Sequence, residues 1–182
     1  ISLDLIGQAR SFYQYAAELT DNGATEDSLA YLRTEREFKN VLLTEQPNGD
    51  WAQTILRQFF FSTYQFYLYQ ALVNHTDTRI AAISEKSLKE VSYHLRWSSE
   101  WVIRLGDGTE ESNRRLLKAL NELWCYTGEL FMPADFEAGI DLVGLKNNWS
   151  TKVKTILEEA TLTVPDNVFM QSGGKTGNHT EH

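Results

Sequence analysis

The sequence predicts an all-α protein in which residues 1–182 form one helical bundle domain. Apolar residues recur at helical spacing along most of the chain, and no stretch shows the convincing alternation of a half-buried strand. The turn signals between these segments are short, which is typical of antiparallel helices in a bundle. Hydrophobic residues make up 42% of the chain and only three residues are proline, so we expect one sizeable core.

Start and stop signals place the helices along the chain. The predicted helices cover residues 1–19, 51–75, 78–105 and 114–131, with shorter ones around 134–143 and 148–160. Asp50 and Thr109 are the predicted N-cap residues of two of these helices, and Gly106 ends the helix that precedes Thr109. A further apolar region over residues 26–46 ends at the turn sequence PNG.

The predicted helix over residues 51–75 is rich in aromatic residues. At about 100° per residue, the segment FFFSTYQFYLY, residues 59–69, places aromatic side chains nearly all round the helix axis. A helix that is apolar all round is either buried in a bundle or docked against a partner. One interpretation is core packing. The other makes Phe59, Tyr64 and Tyr69 candidates for a partner interface, together with Trp97 and Trp101 on the next helix.

Composition argues against several classes of function. The net charge is −8 and the lysine and arginine residues are scattered, so the basic face of a nucleic-acid-binding protein is missing. No apolar run approaches the ~20 residues that cross a membrane. The single cysteine, Cys125, permits no disulfide within the chain, which fits a cytoplasmic protein.

A metal site is the first chemistry to test, because Glu90 and His94 stand one helical turn apart in KEVSYHLR. Di-iron helical bundles take carboxylates from all four helices, with Glu-x-x-His pairs on two of them. Here Val91 occupies the position three residues before His94, and residues 51–76 contain no Asp or Glu. A complete di-iron site within this chain is therefore not expected. We interpret Glu90 and His94 as a structural pair at the border of the core, flanked by tryptophans, and as weak candidates for metal binding.

The segment SGGKTGNHTEH, residues 172–182, is the second chemical candidate. Its glycines allow close approach of the backbone, and Lys175 adds a cation, as in a cradle for phosphate or carboxylate. A tight structural loop is the other interpretation. His179 and His182 are two metal-ligand types without a third, which is weak evidence for a metal site.

Several segments together resemble the PaaC family, the structural, non-catalytic subunits of the bacterial phenylacetyl-CoA epoxidase. The resemblance covers nearly the whole chain in the right order. The segments that carry it most specifically are EQPNGDW, RLGDGTEES and GGKTGNHTEH, and LDLIGQAR, KEVSYHLRWSSEW and EATLTVP add to it.

The resemblance implies a ferritin-like bundle that continues past both ends of this sequence with further helices. It implies a hetero-oligomer with a homologous catalytic subunit that holds the di-iron centre, a further small subunit and a reductase. That complex epoxidises the ring of phenylacetyl-CoA in aerobic phenylacetate catabolism. The family's structural subunit has no cofactor and no activity of its own, so no catalytic residue is expected here. Lys175 is then a candidate contact for the anionic coenzyme A.

Two alternatives stay open at this point. One is a ferritin-like di-iron oxygenase or oxidase with its own metal site, completed by segments outside this sequence. The other is a stand-alone helical module that binds a small hydrophobic acid, with the aromatic helix as the wall of its pocket.

Overall fold

The computed structural model describes residues 1–20 and 22–180, which contain six α-helices and no strand. The helices are α1 (Ser2–Thr20), α2 (Glu26–Tyr31), α3 (Trp51–Leu72), α4 (Thr78–Gly106), α5 (Glu110–Leu123) and α6 (Leu142–Glu159). The prediction of an all-α protein is confirmed. None of these helices is long and apolar enough to cross a membrane.

The aromatic helix α3 lies at the centre of the bundle, against α4, α5 and α6. Phe59 and Phe60 have no solvent-exposed surface. The Phe60 ring lies 5.7 Å from the rings of both Trp124 and Trp149. The indole of Trp149 also donates a hydrogen bond of 2.9 Å to the carbonyl of Phe60. A helix with neighbours on most sides needs apolar residues on most sides, which explains its composition.

The predicted helix starts are confirmed by the contacts of their caps. The carboxylate of Asp50 accepts a hydrogen bond from the backbone N–H of Gln53, and the hydroxyl of Thr109 accepts one from Ser112. Each bond satisfies a donor that the first helical turn leaves without a partner. Asp77 caps α4 in the same way through the N–H groups of Arg79 and Ile80. A β-carbon on Gly106 would collide with the backbone of Ala160, so this helix end packs closely on the end of α6.

Two predicted helices, over 114–131 and 134–143, are only partly α-helical, and so is the apolar region 26–46. Only Glu26–Tyr31 of the region 26–46 is α-helical, and 3₁₀ turns follow at Glu35–Glu37 and Leu42–Glu45. Helix α5 ends at Leu123 and gives way to 3₁₀ turns up to Phe131, while 134–143 contains a 3₁₀ turn and only the start of α6. One physical reason is visible at Leu42, whose N–H binds the side chain of Glu129 and no helical carbonyl. Apolar periodicity alone does not reveal such a competing acceptor.

Candidate functional site

The side chains of Glu90 and His94 each bind helix α1. The Nε2 atom of His94 lies 2.7 Å from the Asp4 carboxylate, and the amide of Gln8 donates a 2.8 Å hydrogen bond to the Glu90 carboxylate. Asp4 and Gln8 are four residues apart, as are Glu90 and His94. Since side chains at this spacing share a helix face, two antiparallel helices meet here through matching polar pairs.

The structure corrects the predicted surroundings of this pair. His94 is fully buried instead of lying at the border of the core, and its Nδ1 atom has no hydrogen-bond partner among the described residues. Its carboxylate partner is Asp4 on another helix and not Glu90. The hydrogen bond from His94 holds the pKa of the Asp4 carboxyl below its usual value. The ring next to His94 belongs to Tyr93, whereas Trp97 and Trp101 pack against Trp51.

A polar side chain from a third helix, α3, joins this contact. The Tyr69 hydroxyl donates a 3.2 Å hydrogen bond to the side-chain oxygen of Gln8. Burial raises the pKa of Tyr69 to about 12, so the hydroxyl keeps its proton near neutral pH. Within residues 1–20 and 22–180, no three His, Cys, Asp or Glu side chains converge as a metal-ligand set. The expectation that Glu90 and His94 are no more than weak candidates for metal binding stays a prediction, as does the expectation that this chain has no cofactor.

Lys175 points into the protein and forms a buried ion pair. Its Nζ atom lies 2.7 and 2.8 Å from the two carboxylate oxygens of Glu137. The carbonyls of Leu130 and Met132 accept from the same ammonium at 3.2 and 2.9 Å. An ammonium has three N–H donors, and these oxygens occupy them. Contact between Lys175 and coenzyme A stays a prediction, but this geometry leaves the ammonium no free donor for it.

The glycine-rich loop does hold a carboxylate, and that carboxylate belongs to the same chain. Glu129 has 1% of its surface exposed. Its side chain accepts hydrogen bonds from the backbone N–H groups of Gly173 and Lys175 at 2.7 and 3.3 Å, and from Leu42 at 2.7 Å. Gly173 and Gly177 have φ angles of 144° and 86°, which only glycine adopts readily. The glycines therefore shape the loop around Glu129.

Beyond this loop, the chain is fastened to the segment before α3. The Nδ1 atom of His179 lies 2.6 Å from one oxygen of the Glu45 carboxylate. The backbone N–H and the hydroxyl of Thr180 both donate to the other oxygen at 2.8 Å. The carboxylate of Glu45 raises the pKa of the His179 imidazole, chiefly through this hydrogen bond. His182, the second histidine of the sequence pattern, lies outside the described residues.

The candidates for a partner interface separate into two groups. Phe59, Tyr64 and Tyr69 have 0%, 7% and 6% of their surface exposed, so they pack inside this chain and offer a partner little surface. For these three residues the interpretation as core is correct, because α3 has neighbours on most sides. Trp97 and Trp101 are half-buried and lie closer to the surface.

Sequence reasoning missed the third member of this group. Trp51, the first residue of α3, is 48% exposed and stands edge-on to the rings of Trp97 and Trp101 at 6.0 and 5.5 Å. The position of Trp51 one residue after an N-cap does not indicate a role at an interface. Only the packing of α3 on α4 brings it next to Trp97 and Trp101. We call Trp51, Trp97 and Trp101 the tryptophan patch.

Comparison with known proteins identifies the family to which this chain belongs. The family described as phenylacetic acid catabolic protein matches residues 1–182. The chain belongs to this family. A protein of Escherichia coli (strain K12), described as a subunit of 1,2-phenylacetyl-CoA epoxidase, is 45% identical over 189 aligned residues, which span 100% of this chain and 76% of that relative.

Membership of the phenylacetic acid catabolic protein family confirms the resemblance found in the sequence. It also agrees with the ferritin-like bundle that this resemblance implies. The glycine loop and the tryptophan patch both lie within the stretch that matches, so they belong to the family domain and not to an appended segment.

We expect Glu129→Ala to lower the free energy of unfolding by about 3–5 kcal/mol, because two buried N–H groups and one part-buried N–H group lose their acceptor. Glu129→Gln keeps one acceptor oxygen and should cost less. Glu122→Ala, on the exposed face of α5, is the matched control and should change stability by about 0.5 kcal/mol or less. Urea unfolding of the three variants measures these differences. Equal effects of Glu129→Ala and Glu122→Ala would contradict the anchoring role.

The contact between His179 and Glu45 predicts a pH-dependent contribution to stability. Because the pKa of His179 is raised on folding, the contact contributes fully below the unfolded pKa of about 6.5. That contribution is lost as the pH rises through the higher folded value. We therefore expect His179→Asn to destabilise the protein more at pH 6 than at pH 9.

Unfolding measurements at both pH values check this expectation. The same substitution in a Glu45→Gln background is the control, because the carboxylate that raises the pKa is then absent. A destabilisation that is equal at pH 6 and pH 9, or that keeps its pH dependence in the Glu45→Gln background, would contradict the assignment.

Proposed function

We propose that this chain is the structural, non-catalytic subunit of the monooxygenase that epoxidises the ring of phenylacetyl-CoA in aerobic phenylacetate catabolism. The observation that carries the proposal is the 45% identity to the Escherichia coli epoxidase subunit over the whole of this chain. Because the match also spans 76% of that relative, the two proteins share an architecture as well as isolated motifs. The proposed role is therefore that of the corresponding subunit in a multicomponent complex.

The contacts of the polar side chains support a scaffolding role. Glu90 and His94 bind α1, Lys175 binds Glu137, and Glu129 binds backbone N–H groups. Each of these groups has the chemistry of a catalytic acid, base or ligand, yet each joins two parts of this chain. Such contacts hold a scaffold rigid, and a rigid scaffold is what positions the helices of a catalytic neighbour.

The proposed partner is a homologous catalytic subunit that holds the di-iron centre, in a hetero-oligomer with a further small subunit and a reductase in the cytoplasm. We place the contact with the catalytic subunit at the tryptophan patch. Half-exposed tryptophans are the side chains that most often dominate the affinity of an interface. The guanidinium of Arg104 lies 5.6 Å from the ring of Trp101 and adds a cation to the same surface.

The test of the main proposal uses the full-length protein, produced alone and together with the catalytic subunit. We expect bound iron and epoxidation of phenylacetyl-CoA only in the preparation that contains the catalytic subunit. The alternative, a di-iron oxygenase or oxidase with its own site, predicts iron and oxidation with the single chain. Stoichiometric iron together with epoxidation by the chain alone would overturn the structural role.

The proposed interface predicts the effect of a charge in the tryptophan patch. Trp51→Glu should weaken association with the catalytic subunit at least about tenfold, because it removes an aromatic anchor and introduces a charge that the interface would bury. Glutamate is tolerated in the first turn of a helix, so α3 should form normally. Tyr31→Glu, at an 80% exposed aromatic residue on α2, is the control. Surface plasmon resonance gives the dissociation constant of each variant for the catalytic subunit. Equal constants for Trp51→Glu and Tyr31→Glu would show that the interface lies elsewhere.

A further inference from the structure

A groove of about 480 Å³ opens where α3, α4 and α6 meet. Its floor is apolar and includes Leu95 and Ile156, which are 7% and 4% exposed, and the half-buried Phe66. The volume is within the range of pockets for small molecules, about 300–1,000 Å³. An occupant with an apolar body of one ring or a short chain would remove this floor from water.

The rim of the groove is positively charged. Arg96 of α4 and Lys152 of α6 both line it, and neither forms an ion pair with a carboxylate that the structure describes. Glu100 is the acidic residue that lines the same groove. The balance is therefore one net positive charge, in a chain whose total is −8. A local excess of positive charge on an acidic protein favours a single negative charge on the occupant.

A buried serine lies in the wall of the groove. Ser99, which is 6% exposed, also lines the groove, and its Oγ atom has no hydrogen-bond partner among the described residues. Buried hydroxyl groups normally have a partner, and those that lack one call for an explanation.

Two acidic-rimmed depressions differ from this groove. The depression beside Trp124 is lined by Glu158 and Asp166, and its one lysine, Lys154, lies 3.8 Å from the Glu158 carboxylate. The depression between α1 and α2 is lined by Glu18 and Glu26, and none of the described residues that line it is a cation. The guanidinium of Arg96 lies 5.7 Å from the ring of Tyr93. Of these three surfaces, the groove between α3, α4 and α6 is the one that combines an apolar floor with cations that form no ion pair among the described residues.

We propose that this groove binds a small amphipathic carboxylate, with its apolar body on Phe66, Leu95 and Ile156 and its carboxylate between Arg96 and Lys152. Glu100 disfavours a dianion such as phosphate, because the second negative charge would meet a like charge at the rim. The lining of the groove carries this inference by itself, so the inference does not rest on the proposed function.

The first test compares probes of matched shape on the full-length chain. Phenylacetate should bind with a Kd of about 1 mM or below, as measured by isothermal titration and ligand-observed NMR. Phenylacetamide has the same ring without the charge and should bind at least about tenfold more weakly. Inorganic phosphate has the charge without the ring and should not bind detectably.

The second test locates the carboxylate of the bound ligand by reversing the charge of a lysine at the rim of the groove. Lys152→Glu should weaken the binding of phenylacetate about tenfold or more. Lys146→Glu makes the same change on an exposed position of α6 outside the groove and should leave the Kd unchanged. Ser92→Trp starts from an exposed residue at the rim, fills the groove without altering the core, and should abolish binding.

Thermal unfolding of each variant separates a lost site from a lost fold, and Ser92→Trp provides a second route should Lys152→Glu fail to fold. Equal affinities for phenylacetate and its amide would overturn the proposal. The proposal would also be overturned if neither Lys152→Glu nor Ser92→Trp changed the Kd for phenylacetate. It would equally be overturned if Lys146→Glu weakened binding as much as Lys152→Glu does.

Discussion

The buried carboxylate of Glu129 is the contact on which the non-helical part of the structure depends. A carboxylate in the interior is costly unless hydrogen bonds compensate the lost hydration. Here two oxygens accept three backbone N–H groups, one before α3 and two in the glycine loop near residue 174. The loop therefore closes over a charge in the region of 3₁₀ turns that follows α5. The backbone N–H of Lys175 is one of the three donors to Glu129, whereas its ammonium forms a separate ion pair with Glu137.

Helix α1 is attached by a different physical principle. Its only buried residue is Gln8, and Leu3 and Ile6 are 84% and 64% exposed, so burial of apolar surface contributes little along its first half. It is held by polar contacts spread over its length, from Asp4 with His94 near one end to Tyr15 with Asp77 near the other. Directional contacts of this kind fix the register of two helices more sharply than apolar contacts do.

The sequence allowed the helices to be placed well, because their signals are local. Asp50 and Thr109 each bind an N–H group three residues away, so a cap can be recognised within a short stretch of sequence. The 3₁₀ turns between Trp124 and Phe131 were over-predicted as helix, because Glu129 in this stretch binds N–H groups that lie 44 and 87 residues away. Local propensity is a weak guide wherever such a distant partner competes.

The same distinction separates what could be foreseen of the site from what could not. Glu90 and His94 were identified as polar residues on one helix face, which depends only on their spacing. Their partner helix could not be foreseen, since Asp4 is 90 residues from His94. The glycine loop was interpreted either as a cradle for phosphate or carboxylate or as a tight structural loop, and its own sequence does not show that Glu129 is the group it binds. An all-round apolar helix is likewise compatible with a core and with an interface, and only the packing around Phe59 distinguishes them.

Helix α4 joins the features that bear on function, because different faces of it meet different neighbours. One face holds α1 through His94, a second carries Trp97 and Trp101 of the tryptophan patch, and a third lines the groove with Arg96 and Ser99. A ligand in the groove can alter the affinity for a partner at the patch only if it binds two arrangements of α4 differently. Because α4 packs tightly along α3 and is fixed to α1 by buried polar contacts, the two sites should act independently. Binding of phenylacetate should then leave the affinity for the catalytic subunit unchanged.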